Sequence, residues 1–330
     1  MNRPNTFPVA HQVAIAGAGV SGLTCAVVFA ERGYRAAIFA EQMGPGTTSA
    51  AAGAIWYPYD AGPSDRTIAW ALETYHTLLH FAGDPRSGVS MIEQRTFSRT
   101  GKIEIPEWAL LLGARELTSE IPAAFASGFA LNVPLTDTTI YLDYLARRFR
   151  EAGGEVHLNK RFDRLEDVDP SFDLVINCTG IGAKTLAPDP ELEPHRGQVA
   201  LVSKIALPYA VVCNDPPLIY AIPRTNDCVL GGTNDLSDNL EPDPAATTRI
   251  LAECSRVLGR ELPPVLGEQV GLRPFRRLGV RVERAQLRDG RVVIHDYGHG
   301  GSGFTFSWGC AEAAASLAPN PTSAKSPGTN

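Results

Sequence analysis

Gln12-Val-Ala-Ile-Ala-Gly-Ala-Gly-Val-Ser-Gly-Leu23 is the most informative stretch of this chain. Its apolar run, residues 13–16, is typical of a buried strand. Three glycines follow with the spacing Gly17-x-Gly19-x-x-Gly22, and a helix is predicted over residues 23–32, with Gly33 at its end. In such a motif the glycines allow, in order, a tight turn, close approach of a pyrophosphate, and helix–strand packing. The first N–H groups of the helix attract the phosphates.

A second strand, predicted over residues 36–40, strengthens this interpretation. It ends at Glu41, 19 residues after Gly22. An acidic residue at about that distance holds a ribose hydroxyl in dinucleotide sites. The alternative is a glycine-rich turn that binds no nucleotide. The strand–turn–helix context favours the dinucleotide.

Composition narrows the class of protein. A length of 330 residues predicts two domains, and 44% hydrophobic with 20% charged residues is ordinary for a soluble protein. The net charge of −6 argues against nucleic-acid and anionic-membrane partners. Six cysteines without a C-x-x-C pair predict buried thiols in a reducing compartment and no metal site. We expect a cytoplasmic enzyme, because the first residues lack the apolar core of a signal peptide.

The periodicity predicts an α/β protein (α+β mixed), with α/β segments at both ends and β-rich stretches inserted between them. Residues 44–59 are predicted as an extended loop, 91–117 as short strands and turns, and 133–137 as a connection. The remaining predicted helices span residues 65–81, 140–151, 247–258 and 306–317. The remaining predicted strands span residues 155–158, 172–178, 196–202, 209–213, 219–223, 228–232 and 291–295.

Glycine turns at residues 17–22, 180–182 and 298–303 are expected to converge on one ligand. Arg273 is a candidate carboxylate clamp, with a structural ion pair as the alternative. Tyr220 is a candidate pocket hydroxyl, with simple packing in a sheet as the alternative. His295 and His299 are predicted to be structural, because no nucleophile accompanies them.

Five segments, taken together and in this order, resemble the D-amino-acid oxidase family of FAD flavoenzymes from about Val13 to Leu317. They are Ala14-Ile-Ala-Gly-Ala-Gly-Val-Ser-Gly-Leu23; Ala51-Ala-Gly-Ala-Ile-Trp-Tyr-Pro-Tyr59; Leu174-Val-Ile-Asn-Cys-Thr-Gly-Ile-Gly-Ala183 with Arg196-Gly-Gln198; Val270-Gly-Leu-Arg-Pro-Phe-Arg-Arg277 with Arg281-Val-Glu283; and His295-Asp-Tyr-Gly-His-Gly-Gly-Ser-Gly-Phe304 with Ser307-Trp-Gly309.

The resemblance implies a Rossmann-like domain that binds FAD non-covalently and an interleaved, β-rich substrate domain. The FAD-binding domain is expected at residues 1–60, 140–200 and 285–317. The substrate domain is expected at 61–139 and 201–284, and residues 318–330 are expected to be a disordered tail.

The resemblance also implies a site, carried over by position. No residue acts as an acid or base, because the flavin does the chemistry. Substrate binding is implied for Arg273, Tyr220, Gly301, Ser302 and Asn234. Cofactor binding is implied for Ala18, Gly19, Val20, Ser21, Glu41, Thr47, Thr48, Gly53, Ile55, Trp56, Thr179, Gly180, Arg273, Gly300, Gly301, Gly303, Phe304 and Thr305.

The implied reaction is oxidation of a D-amino acid to the imino acid and then the 2-oxo acid, with O₂ reduced to hydrogen peroxide. Asn234 stands where some members have an arginine, which favours neutral or apolar side chains, although Arg224 and Arg276 could replace it. The alternatives are a D-aspartate oxidase, a glycine or sarcosine oxidase, and a non-catalytic flavoprotein. The partners are a D-amino acid and O₂, and a homodimer stays open. The C-terminus lacks a peroxisomal Ser-Lys-Leu signal, which also suggests the cytoplasm.

Overall fold

The computed structural model describes residues 11–59, 62 and 64–322. Within them the strands are β1 (Gln12–Ala16), β2 (Arg35–Phe39), β3 (Val89–Ser98), β4 (Arg115–Glu116), β5 (Ser127–Thr136), β6 (Glu155–His157), β7 (Leu174–Asn177), β8 (Leu192–Ser203), β9 (Tyr209–Cys213), β10 (Ile219–Pro223), β11 (Asp227–Gly231), β12 (Asp235–Leu236), β13 (Val265–Arg276), β14 (Arg281–Gln286) and β15 (Val292–Tyr297). The helices are α1 (Val20–Glu31), α2 (Asp65–Phe81), α3 (Glu107–Leu111), α4 (Thr138–Glu151), α5 (Ala183–Leu186), α6 (Pro244–Leu258) and α7 (Gly303–Ser316).

The first sheet has six strands in the order β14-β15-β7-β1-β2-β6. All its pairs are parallel except β14 with β15. The central strands are covered on both faces, which explains why residues 13–16 form a continuous apolar run. Helices α1, α2, α4 and α7 pack around a common core with this sheet. The carboxyl ends of its parallel strands therefore meet at one edge, where α/β folds bind ligands.

The second sheet has nine strands, with β12-β8-β11-β10-β9-β3-β5-β4 as its path and β13 paired to β8. Its pairs are antiparallel apart from β3 with β9. Helix α6 packs on β8, β10 and β11. Its start is fixed by Asp243, which accepts the Ala245 N–H at 2.9 Å, and by Pro244 at the first helical position. The two sheets confirm the mixed α/β class.

The structure corrects three predictions of local structure and adds one long strand. Residues 133–137 are predicted as a connection, but most of them belong to β5. Pro134 is tolerated in this strand because its backbone faces the loop at Trp56, whose N–H donates to the Pro134 carbonyl at 2.8 Å. The predicted strands and turns at 91–117 include helix α3. Residues 265–276 form the long strand β13, which the sequence pattern did not reveal. The expected disorder does not hold for residues 318–322, because the Pro321 carbonyl accepts the His11 N–H at 2.9 Å.

Sheet membership also differs from the expected domain ranges. β8 lies in the nine-stranded sheet, although residues 192–200 were assigned to the FAD-binding domain. α2 packs with the core of the six-stranded sheet, although residues 65–81 were assigned to the substrate domain. Residues 1–10 and 323–330, the ends of the expected ranges, lie outside the described residues. Within the described residues, no helix is long and apolar enough to span a membrane.

Candidate active site

One large cavity of about 990 Å³ is lined by both sheets. From the six-stranded sheet come the β1–α1 turn, the residues after β2 and β7, and the turn before α7. From the nine-stranded sheet come side chains of β10 and β13. The three glycine turns at 17–22, 180–182 and 298–303 all contribute to this cavity, and their convergence on one ligand stays a prediction. The volume is at the upper end of the range for ligand sites.

The β1–α1 turn forms an anion-accepting end of the cavity. Gly17 has φ +105°, and a Cβ on Gly22 would lie 2.1 Å from the Gly17 carbonyl oxygen. Both positions therefore need glycine. Gly19 caps α1 without a side-chain hydrogen bond, and the Val20 N–H donates to Ser49 Oγ at 2.9 Å. The uncapped first turn can offer backbone N–H groups to a phosphate.

Glu41 lies just beyond β2 on the cavity wall, as the motif predicts. Its side chain is half exposed and pairs with Arg161 at 3.2 Å. The backbone N–H of Lys160 bonds the Ala40 carbonyl at 3.0 Å, which holds this second segment beside the strand end. A carboxylate in this position can accept hydrogen bonds from ribose hydroxyls.

The second end of the cavity is the part of the wall formed by the nine-stranded sheet, which carries Arg273 on β13. Arg273 Nη1 donates to the Thr233 carbonyl at 2.8 Å and to Asn234 Oδ1 at 3.0 Å. A Cβ on Gly197 of the paired strand β8 would lie 2.3 Å from Arg273 Nη2, so this glycine makes room for the guanidinium. Among the described residues no carboxylate lies within ion-pairing distance of Arg273. The guanidinium is therefore available for an anion.

Tyr220 lines the same part of the cavity as Arg273, whose positive charge acts on the Tyr220 hydroxyl. Its ring covers Gly231 and Gly232, where any Cβ would lie within 2.7 Å of ring atoms or the hydroxyl. Burial raises the pKa of the Tyr220 hydroxyl, an effect that the nearby guanidinium partly opposes. The hydroxyl therefore keeps its proton and can donate a hydrogen bond. Tyr220 packs in the sheet and also lines the cavity, and its role as a pocket hydroxyl stays a prediction.

The turn before α7 closes the cavity between these two ends. Gly301 must lack a side chain, because a Cβ would lie 2.6 Å from Tyr59 Cδ1 and 3.4 Å from Arg273 Cδ. Ser302 Oγ accepts the Tyr59 N–H at 2.6 Å, and Thr305 Oγ1 accepts the Tyr57 N–H at 3.0 Å. These bonds fix the loop that carries both tyrosines against the turn.

Most of the predicted site residues are brought together on the cavity wall. They are Ala18, Gly19, Val20, Ser21, Glu41, Thr47, Thr48, Gly53, Ile55, Thr179, Gly180, Tyr220, Arg273, Gly300, Gly301, Gly303, Phe304 and Thr305. Three are not on the wall. Trp56 is buried and donates to the Ala71 carbonyl, the Ser302 hydroxyl bonds the backbone of Tyr59, and Asn234 reaches the site only through Arg273.

The sequence interpretation missed several wall residues. Ser49 accepts the Val20 N–H beside the first turn of α1, and Gly197 accommodates Arg273. Tyr57 and Asn214 line the substrate end and are joined, Asn214 Nδ2 donating to the Tyr57 hydroxyl at 3.1 Å. Ser49 and Tyr57 could have been found, because both lie in the 44–59 loop. Gly197 lies in the Arg196-Gly-Gln198 segment of the resemblance, but its contact with Arg273 comes from strand pairing, and Asn214 carries no local signal.

Both histidines are buried and have hydrogen-bonding neighbours, His299 on the cavity wall and His295 behind it. His299 Nε2 lies 3.1 Å from Asp296 Oδ1, and His295 Nδ1 lies 3.3 Å from Asn177 Nδ2. Burial lowers the pKa of His295 to about 4.

All six cysteines are free and buried, as predicted. Two triads, Cys25/Cys178/Asp296 and Asp296/His299/Cys310, have potential metal-ligating atoms within 4.8 Å of one another.

The residues present fit FAD. The uncapped turn of α1 matches a diphosphate, Glu41 matches a ribose, and the two lie at one end of the cavity. Gly53 and Gly301 also belong to the wall, and each is packed against a side chain: a Cβ would lie 2.5 Å from Ile222 Cδ1 at Gly53 and 2.6 Å from Tyr59 Cδ1 at Gly301.

Comparisons with known proteins agree. The family model described as FAD dependent oxidoreductase matches residues 12–317. A D-amino-acid oxidase of Rubrobacter xylanophilus is 39% identical over 316 residues, covering 94% of this chain and 96% of the relative. A human D-aspartate oxidase is 34% identical over 327 residues, covering 93% of this chain and 94% of the relative.

Solved structures share the fold. A glycine oxidase from Geobacillus kaustophilus aligns with a TM-score of 0.77 at 18% identity, covering 93% of this chain and 94% of the other. At that identity the likeness concerns the fold alone. The family model and the curated relatives span nearly the whole chain, and they confirm the resemblance seen in the sequence. The chain therefore belongs to the FAD-dependent oxidoreductase family and is an enzyme that uses FAD.

Proposed function

We propose that this enzyme oxidises neutral D-amino acids to imino acids, which water converts to 2-oxo acids and ammonia, with O₂ reduced to hydrogen peroxide. Bound FAD supplies the hydride acceptor and the route of the electrons to O₂. The observation that carries the proposal is Arg273, an arginine without a described carboxylate partner, facing the cavity next to the Tyr220 hydroxyl.

The chain's own contribution is to bind and orient the substrate. Arg273 would take the α-carboxylate through two parallel hydrogen bonds, and Tyr220 would donate a third. Thr233 and Asn234 hold the guanidinium, so its orientation is set before the substrate binds. With the carboxylate fixed, Cα–H would be directed toward the glycine-lined end of the cavity. Positioning of this kind removes much of the barrier without an acid or base side chain.

The electrostatics of the substrate end support a neutral side chain. Arg224, a candidate second cation, donates to both oxygens of Asp227 at 2.7 Å and does not line the cavity. Arg276 is likewise engaged, donating to Asp189 at 2.8 Å. The other cations on the described wall, Lys160 and Arg161, lie at the Glu41 end. Arg273 alone among the described residues would face the substrate, and one guanidinium cannot pair two carboxylates equally well.

Peroxide release from a panel of amino acids tests the proposal. We expect D-alanine and D-valine to be oxidised, D-aspartate and glycine to be much poorer, and the L-isomers to be inactive. Preference for D-aspartate or for glycine would support the two alternative oxidases. Activity on L-isomers alone, or on none of the panel, would contradict the proposal.

A cytoplasmic location and a homodimer stay predictions, which fractionation and light scattering would test.

A further inference from the structure

A single buried carboxylate connects separate parts of the cofactor cavity. Asp296, on β15, is fully buried, and its side chain contacts residues from three segments. Oδ2 accepts the Cys25 thiol at 3.2 Å and the Cys178 thiol at 3.8 Å, while Oδ1 lies 3.1 Å from His299 Nε2. These partners come from α1, the end of β7 and the turn before α7.

The three connected segments are those that carry the glycine turns of the wall. Cys178, Asp296 and His299 line the cavity themselves. Cys25 lies one turn along α1 from Ser21, which is on the wall, and Ser21 Oγ is 3.4 Å from His299 Nδ1. The carboxylate is thus joined to the diphosphate end of the cavity through the helix and through the imidazole.

The two thiols that donate hydrogen bonds to Asp296 remain protonated. A hydrogen bond to Cys178 and burial raise the pKa of Cys25 well above its usual range, and burial raises that of Cys178. Both sulfurs therefore keep the proton that they donate. Among the described residues no Lys or Arg pairs with Asp296. Two thiols donate to Asp296 and His299 Nε2 lies within hydrogen-bonding distance, so three neighbours lose a polar partner if the carboxylate is removed.

We propose that Asp296 is a positioning residue for FAD: its carboxylate holds α1, the end of β7 and the turn before α7 in the spacing that the cofactor requires. This inference rests on FAD binding in the cavity and is independent of which amino acid is oxidised. It concerns the affinity of the apoprotein for FAD, which is measured without any substrate.

The direction of the change in FAD affinity in Asp296→Asn distinguishes a positioning role of the carboxylate from a purely electrostatic one. A carboxylate on the wall repels the diphosphate of FAD. If Asp296 acted only as a charge, Asp296→Asn would tighten FAD binding. Loss of positioning has the opposite effect, because the three segments are no longer held before FAD binds.

The experiment titrates apoprotein with FAD by flavin fluorescence and records the apoprotein unfolding temperature. For Asp296→Asn we expect the Kd for FAD to rise about tenfold or more, because the amide keeps only one acceptor oxygen and up to two of the three hydrogen bonds are lost. Asp137→Asn is the matched control, since Asp137 is another buried carboxylate with neutral donors, Thr139 and Thr225. It lies off the wall, and its Kd should stay within about twofold of wild type.

Cys25→Ala and Cys25→Ser provide a milder pair of variants if Asp296→Asn does not fold. The alanine variant lacks one donor, and its Kd should rise about fivefold; the serine variant keeps a donor and should bind nearly as wild type. Combining Cys25→Ala with Asp296→Asn should weaken binding no more than Asp296→Asn alone. Tighter or unchanged binding in Asp296→Asn, an equal loss in Asp137→Asn, or no rescue by serine would overturn the inference.

Discussion

The two ends of the cavity differ in their lining, which is mainly backbone at one end and mainly side chains at the other. At the diphosphate end the six-stranded sheet presents backbone: Gly17 and Gly22, an uncapped helix start and small residues. At the substrate end the nine-stranded sheet presents side chains, chiefly Arg273 on β13 and Tyr220 on β10. A backbone site serves any substrate that the cofactor oxidises, whereas a side-chain site selects one.

This difference implies separable effects of mutation. Variants at the diphosphate end should change the affinity for FAD and leave substrate binding alone. Variants at the substrate end should raise KM and leave the affinity for FAD alone. A variant that changed both equally would show that the cavity acts as one unit.

The largest effect is expected for Arg273→Ala. Loss of the carboxylate clamp should lower kcat/KM by on the order of 3 kcal/mol or more, mainly through KM, with the Kd for FAD unchanged. Steady-state kinetics and flavin titration measure the two quantities. Arg277→Ala is the control, because Arg277 is half exposed and pairs with Glu191 and Glu193. Equal losses in both variants would remove Arg273 from its role.

Acid should destabilise the protein through His295 on β15. Its folded pKa of about 4 lies below the ordinary value of 6.5. The unfolded chain therefore binds the proton more tightly, and stability falls as the pH drops from about 6.5 to about 4, by up to about 3 kcal/mol. Denaturant unfolding at several pH values measures this. In His295→Asn the pH dependence over that window should shrink; an unchanged slope would assign it to other groups.

Glu41→Ala should weaken FAD binding by about 2 kcal/mol, or about 30-fold, because a charged acceptor for ribose hydroxyls is lost. The KM for the amino acid, measured at saturating FAD, should not change. Glu155→Ala removes an exposed carboxylate from β6, away from the cavity, and should leave FAD binding intact. A raised KM in Glu41→Ala would show that Glu41 also affects substrate binding, and would contradict separate roles for the two ends.

The smallest effect is expected for Tyr220→Phe. The ring would still pack over Gly231 and Gly232, and only one hydrogen bond to the substrate would be lost. We expect kcat/KM to fall about tenfold, or about 1.4 kcal/mol. Tyr209→Phe on the neighbouring strand β9 is the control, since its ring lies under the Arg95 guanidinium. No loss in Tyr220→Phe would assign carboxylate binding to Arg273 alone.

The contrast between the two ends also explains what could be predicted from the sequence. The diphosphate end depends on glycine spacing within one strand–turn–helix unit, so the β1–α1 turn and Glu41 could be placed by position alone. Helix α2 is predicted with correct limits because its apolar spacing is regular, and the structure adds a capping box of Ser64 and Thr67 at its start.

The substrate end depends on pairing between distant strands. Gly197 meets Arg273 because β8 and β13 pair over most of their length, and β13 itself lacks a regular apolar alternation. Side-chain direction was equally hidden. Trp56 and Ser302 have neighbours on the cavity wall, yet their polar atoms bond to Ala71 and to the backbone of Tyr59. Position along the chain could not reveal this.

Anaerobic titration of the holoenzyme tests the central claim most directly, because it measures binding and hydride transfer without O₂. With the flavin spectrum recorded against added D-valine, L-valine and D-aspartate, we expect D-valine to bleach the visible flavin band. L-valine should leave the band intact, and D-aspartate should bleach it only at much higher concentration. Bleaching by L-valine, or an unchanged spectrum with every D-amino acid, would contradict the account of Arg273 as the clamp for neutral D-amino acids.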